Sequence, residues 1–208
     1  MGLRKPAAQD GLREVVVRDP NRDLPGLLRQ LRNGNAQERR WAARDLVEHP
    51  EAVSALGDHL ARETESQVRE AIFTTIAALS SAQSVQALLP MLRSEDAQLR
   101  NGAIEALTQM PQAVGPCMQA LLDDPDPDVR IFTVNLLGDL KHPDINTWLI
   151  KVLTRDEHIN VVAAAVEVVA EVGTPEAVPA LQAAVQRFAQ DPFLGFAADV
   201  AIERIESV

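Results

Sequence analysis

A unit of roughly 31 residues, built from two amphipathic helices, recurs along almost the whole of this 208-residue chain, and that recurrence constrains the fold more than any other feature. The clearest copy spans 123–140, DDPDPDVRIFTVNLLGDL, where a turn dense in Asp and Pro runs into a helix opening Asp128-Val129-Arg130. The first helix of each unit carries an apolar triplet spaced i, i+3, i+7. The triplets are Leu24/Leu27/Leu31, Val53/Leu56/Leu60, Val85/Leu88/Leu92, Val114/Cys117/Leu121, Ile145/Trp148/Val152 and Val178/Leu181/Val185. That spacing puts three side chains on one helix face.

The second helix keeps a register of its own. Arg40, Arg69, Arg100 and Arg130 recur 29, 31 and 30 residues apart, with Val162 and Gly195 in the fifth and sixth places. Seven residues on stand Val47, Ile76, Leu107, Leu137, Val169 and Ile202. One residue before stand Arg39, Val68, Leu99, Val129, Val161 and Leu194, all apolar except the first. Connectors within units are short and polar, and those between units often hold Pro (Pro50, Pro111, Pro143, Pro175). Short links between amphipathic helices make antiparallel hairpins, and neither helix can bury its face alone. The expected fold is all-α: an α-solenoid, a right-handed superhelix of about six hairpins. The expected units are 23–50, 51–81, 82–110, 111–142, 143–173 and 174–208, behind an N-terminal extension, 1–22. In that extension Val15-Val16-Val17 is expected to cover the first repeat.

Composition narrows the function classes. Aromatics are 3% with no Tyr, so Ala, Val and Leu do the packing, as closely stacked helices require. The net charge is −10, unevenly placed: residues 1–50 balance at +3 and residues 51–208 at −13. Such a body disfavours a general nucleic-acid or anionic-membrane binder. A single cysteine, Cys117, excludes an intrachain disulfide and cysteine-based metal motifs. No run approaches the roughly 20 apolar residues of a membrane helix, and the N-terminus opens no signal peptide, so a cytoplasmic protein is expected.

The Val-x-x-Leu of the first helix, then Asp-x-Val-Arg and an apolar run closing Leu137-Gly138, resembles HEAT repeats, and the short period resembles the phycobilisome-lyase type of HEAT-like repeat. Asp126-Pro127-Asp128-Val129-Arg130 is the best match, and Glu38-Arg39-Arg40 and Asn160-Val161-Val162 are poor ones. The resemblance implies the solenoid and says little of function, because the repeat serves many roles.

Candidate sites divide into structural and binding groups. Regular recurrence is what nearest-neighbour stacking demands, so Arg40, Arg69, Arg100 and Arg130 are expected to pair with carboxylates such as Asp96 or Asp128 of their own or the next repeat. Failure of the column at Val162 implies apolar stacking of the last two repeats. The 123–128 run lacks the central Gly and distal Glu of a calcium hand, so Asp126 or Asp128 reads as a helix cap. Cys117 reads as a buried thiol, and Pro25, Pro116 and Pro179 as residues near first-helix starts. No His of 49, 59, 142 and 158 is followed by Glu, whereas the HEAT-like deoxyhypusine hydroxylases hold iron with paired His-Glu motifs. No metal, no cofactor and no catalytic residue is expected.

The resemblance also implies that the second helices line the concave side. In that register Trp41, Glu70 and Ile131 share one position, and Asp45, Glu105, Asn135 and Glu167 another. These seven form the expected partner site: a polar, acidic groove with Trp41 and Ile131 as exposed apolar anchors. The expected function is a non-catalytic adaptor or assembly factor holding another protein with a basic surface. The resemblance leaves two other classes open: a bilin lyase-like subunit, and a HEAT-like nucleic-acid binder or DNA glycosylase, which the acidic charge disfavours.

Overall fold

In a computed structural model, which describes residues 22–207, twelve α-helices account for nearly all the regular structure, with no strand among the described residues. They run in pairs: α1 (Leu24–Asn33) with α2 (Ala36–Asp45), α3 (Val53–Leu60) with α4 (Ser66–Leu79), and α5 (Ala82–Leu88) with α6 (Ala97–Thr108). Then come α7 (Pro111–Leu122) with α8 (Pro127–Asp139), α9 (Ile145–Arg155) with α10 (Ile159–Val172), and α11 (Val178–Arg187) with α12 (Pro192–Glu206). Pro90 lacks an amide N–H, so the third unit's first helix continues past α5 as a 3-10 turn, Leu89–Arg93. The expected extension, 1–22, lies outside the described residues apart from Arg22.

The core is one continuous stripe threaded through all the pairs, from Leu27 and Leu31 to Ala201 and Ile205. Each triplet contributes, most fully the third, where Val85, Leu88 and Leu92 are all buried in that core. Second helices stack on one another, α2 on α4 through to α10 on α12. Over most of the array they pack on one another more extensively than the first helices do, and the face they share is called the inner side. Thr75 ties two of them polar-to-polar, its Oγ1 donating to the buried Ala43 carbonyl at 2.9 Å. No helix among the described residues is long and apolar enough to cross a membrane.

Three local expectations need correction. Pro116 does not open a first helix but lies inside α7, which starts at Pro111. Cys117 is half-buried, its Sγ 3.7 Å from the Gln86 amide. In the first repeat the second-helix register is displaced by one residue. Leu46 is the buried apolar residue there, whereas the expected Val47 is 37% exposed. The cause is the helix start. Asn35 forms a capping box with Glu38, the Asn35 side chain accepting from the Glu38 amide and Glu38 accepting from the Asn35 amide. α2 therefore begins at Ala36 and Arg39 is its fourth residue, the place held in α4, α6 and α8 by Arg69, Arg100 and Arg130.

Candidate protein-binding groove

Counting from each second helix's N-cap gives a register common to all six repeats. The caps are Asn35, Glu65, Asp96, Asp126, His158 and Asp191. Four residues on come Arg39, Arg69, Arg100, Arg130, Val162 and Gly195. These arginines hold the loop inside each hairpin. Arg69 donates to the Glu63 carbonyl at 2.6 Å, Arg100 to the Ser94 carbonyl at 2.6 Å and Arg130 to the Asp124 carbonyl at 2.8 Å. Arg39 does the same to Gly34 at 2.9 Å. Loop carbonyls at a helix end lack intrahelical partners, so a fixed guanidinium satisfies them.

Three of the four also reach a carboxylate in the following repeat. Arg39 pairs with Glu63, Arg69 with Asp96 at 2.8 Å, and Arg130 with Asp156. Arg100 differs: it lies over the Phe132 ring, 5.1 Å from its centroid, with no carboxylate partner among the described residues. Arg93 takes up that junction instead, pairing with Asp124 and Asp126. Arg40, expected in the column, lies outside it and, among the described residues, reaches only the Gln67 amide oxygen, at 3.4 Å. Asp128 receives no arginine and makes no side-chain bond among the described residues, and Asp126 is the cap of α8, accepting from the Asp128 amide at 2.9 Å. The last junction is not purely apolar either. Arg187 of α11 reaches back to the Leu153, Thr154 and Asp156 carbonyls, replacing the arginine absent at Val162.

Glu63 is the most deeply held of these carboxylates, its side chain 2% exposed. Burial pushes its carboxyl up, but the Arg39 hydrogen bond, the Glu65 amide and His59 outweigh burial and hold it down to about 2. Nothing marks it as reactive, since its lone pairs are taken by Arg39, His59 and the Thr64 and Glu65 amides.

With structure assigned to that column, the inner face remains. Between α4 and α6 opens a groove of about 420 Å³, lined by Glu70, Phe73, Thr74, Asn101, Gly102 and Glu105 among others. Gly102 makes room for Phe73: a Cβ there would lie 2.3 Å from the ring. A second depression, about 500 Å³ in volume, joins Glu105 to Asp139 of α8. Glu70, Glu105, Asn135 and Glu167 are exposed on this side, five or nine residues after their caps. Ile131 shares their line but is half-buried against the core. Trp41 and Asp45 leave it, because the corrected register places them six and ten residues after Asn35. Both are half-buried, and Asp45 pairs with Arg22. Arg40 and Arg44 take the groove positions in the first repeat.

The register also finds residues that the sequence reading passed over. In α12 the groove positions are Phe196 and Val200, with Phe193 beside them, exposed by 71%, 39% and 83%. They were legible once the count was carried past the break at Gly195. Among the described residues no cluster of three or more His, Cys, Asp or Glu is arranged to hold a metal.

The chain is 27% identical over 155 residues to the uncharacterized phycocyanin operon protein Z of Pseudanabaena tenuis (strain PCC 7409), across 70% of this chain and 76% of that one. Human deoxyhypusine hydroxylase superposes with a TM-score of 0.47 and 19% identity, over 88% of this chain and 74% of that one. The complex of CpcE and CpcF of phycocyanin lyase from Nostoc sp. PCC7120 gives 0.38 and 16%, over 99% and 100%. Superpositions this loose carry no functional argument. A family model for HEAT repeats matches residues 24–108 and 116–191, most of the chain, so this protein belongs to the HEAT-repeat family.

Proposed function

We propose that this protein is a non-catalytic scaffold that holds a basic segment of a partner protein along its inner groove. The observation that carries the reading is the set of exposed carboxylates Glu70, Glu105 and Glu167, which project from α4, α6 and α10 while Arg69, Arg100 and Arg130 are occupied by loops. Exposed groove carboxylates steer and select positively charged groups, an effect that salt screens. Asn135 adds hydrogen-bonding capacity and Ile131 an apolar edge. Trp41 and Asp45 belong to the proposal only as neighbours of its first-repeat end. The test is a titration with a fluorescent oligo-lysine peptide at two salt concentrations. Glu105→Lys with Glu167→Lys should weaken binding about tenfold at low salt and flatten its salt dependence. Unchanged affinity in that double variant sinks the groove as the site.

Similarity to the phycocyanin operon protein Z supports a second reading, a lyase-like subunit acting on a bilin-carrying protein. Mixing the protein with a free bilin and recording the visible spectrum checks it, and an unshifted spectrum counts against it.

A further inference from the structure

In five repeats the second helix turns polar or mixed residues to the groove and apolar ones to the next repeat. In the sixth this is reversed. The residue eight after the cap, which faces the next repeat, is Phe73, Ile104, Val134 and Val166 in the middle four, and Asp199 in α12. That it faces the next repeat is shown by Phe73 lying against Gly102. On the groove side α12 instead presents Phe193, Phe196 and Val200, spaced i, i+3, i+7 along one stripe. Such a cluster of exposed large apolar side chains marks an interaction site.

Charge indicates the occupant. α12 packs on α10, which exposes Glu167 and Glu171, and α12 itself adds exposed Asp199, Glu203 and Glu206 against one cation, Arg204. A second copy seated on the same stripe about a two-fold axis would set those carboxylates against its own, and a helix stacked in register would bury Asp199. A cationic segment with apolar residues at one end meets neither penalty. We infer that the α12 end of the groove is an apolar anchor seat for a partner's extended basic segment, whose apolar residues sit on Phe193, Phe196 and Val200 while its basic residues run over Glu167 towards Glu105. This rests on the groove reading above and adds its polarity. Packed helices lie about 8–10 Å apart and an extended chain advances about 3.3 Å per residue, so the first basic residue falls about three residues from the apolar block.

The probe is a fluorescent twelve-residue peptide with two leucines at one end and lysine at every third position, alongside a version with serine for leucine. The parent should bind the leucine peptide at least tenfold more tightly than the serine peptide, and Phe193→Ser with Phe196→Ser should abolish that preference. Both phenylalanines are solvent-exposed, and an unchanged circular dichroism melt confirms that the variant is folded. The Glu105→Lys, Glu167→Lys variant should lose affinity for both peptides equally. If the glutamate variant weakens binding and the phenylalanine variant does not, the anchor seat is wrong while the groove stands. If only the phenylalanine variant weakens binding, the seat stands and the acidic groove falls. Failure of the parent to prefer the leucine peptide overturns the inference. So does a parent dimer in sedimentation equilibrium that the phenylalanine variant converts to monomer, since a second copy then occupies the seat.

Discussion

Arg39 grips Glu63 with both arms of its guanidinium, Nε to Oε2 at 2.7 Å and Nη2 to Oε1 at 2.9 Å, across the junction between the first two repeats. A bidentate pair of this kind, with the carboxylate buried, leaves a costly unpaired charge when one side is removed. Arg39→Met should therefore lower stability by about 3–5 kcal/mol, and Arg40→Met by well under 1 kcal/mol. Equal melting temperatures for the two variants would return the column to Arg40.

The same carboxylate sets an acid limit. Its ordinary value is 4.5 and the fold holds it down to about 2. A depressed carboxyl contributes stability that is whole above the unfolded value and lost as pH falls through the folded one, here between pH 4.5 and about 2. The contribution is at most about 3 kcal/mol. In urea unfolding, the stability difference between parent and Glu63→Gln should be largest at pH 7 and shrink as pH falls from 4.5 towards about 2. A difference constant across that range would show that the charge of Glu63 is not what stabilises the junction.

Two glycines on the inner helices should respond to alanine with opposite signs. At Gly102 the new Cβ meets the Phe73 ring at 2.3 Å, so the ring must give up its place against the helix, and the cost should be about 1–3 kcal/mol. At Gly138 the nearest atom is a Val168 methyl at 3.7 Å, ordinary contact, so the gain in helix propensity should show as about 0.5–1 kcal/mol of added stability. Paired thermal melts decide both.

Stability should also be distributed. Leu88→Ala and Leu137→Ala each remove a fully buried side chain from different repeats, at about 2–5 kcal/mol apiece. The residues lie in neighbouring repeats, on helices that are not paired with each other (α5 pairs with α6, α8 with α7), so the losses should add in the double variant within about 0.5 kcal/mol. Strong non-additivity in chemical denaturation would indicate one indivisible core.

Legibility in the sequence followed the range of the interaction. The triplets Val53/Leu56/Leu60 and Val85/Leu88/Leu92 are local patterns, and they lie buried as their spacing requires. Asn35 with Glu38 is equally local, and counting from that cap places Arg39 rather than Arg40 in the column. Which carboxylate each arginine takes was not legible, because Glu63, Asp96 and Asp156 lie 24 to 27 residues away and their reach depends on how tightly two hairpins stack. That Arg100 rests on Phe132 instead of an acid has the same origin.

The sequence by itself determined the all-helical repeat, its six hairpins and the faces each helix buries, because burial periodicity and helix caps act within one turn or two of the chain. Only the tertiary structure decided what the inner face became. It put Arg187 where Val162 leaves the last junction without a guanidinium, rested Arg100 on Phe132, and left Phe193, Phe196 and Val200 uncovered. A side chain's exposure depends on the helix stacked next to it, and no local pattern in one helix states what its neighbour will cover.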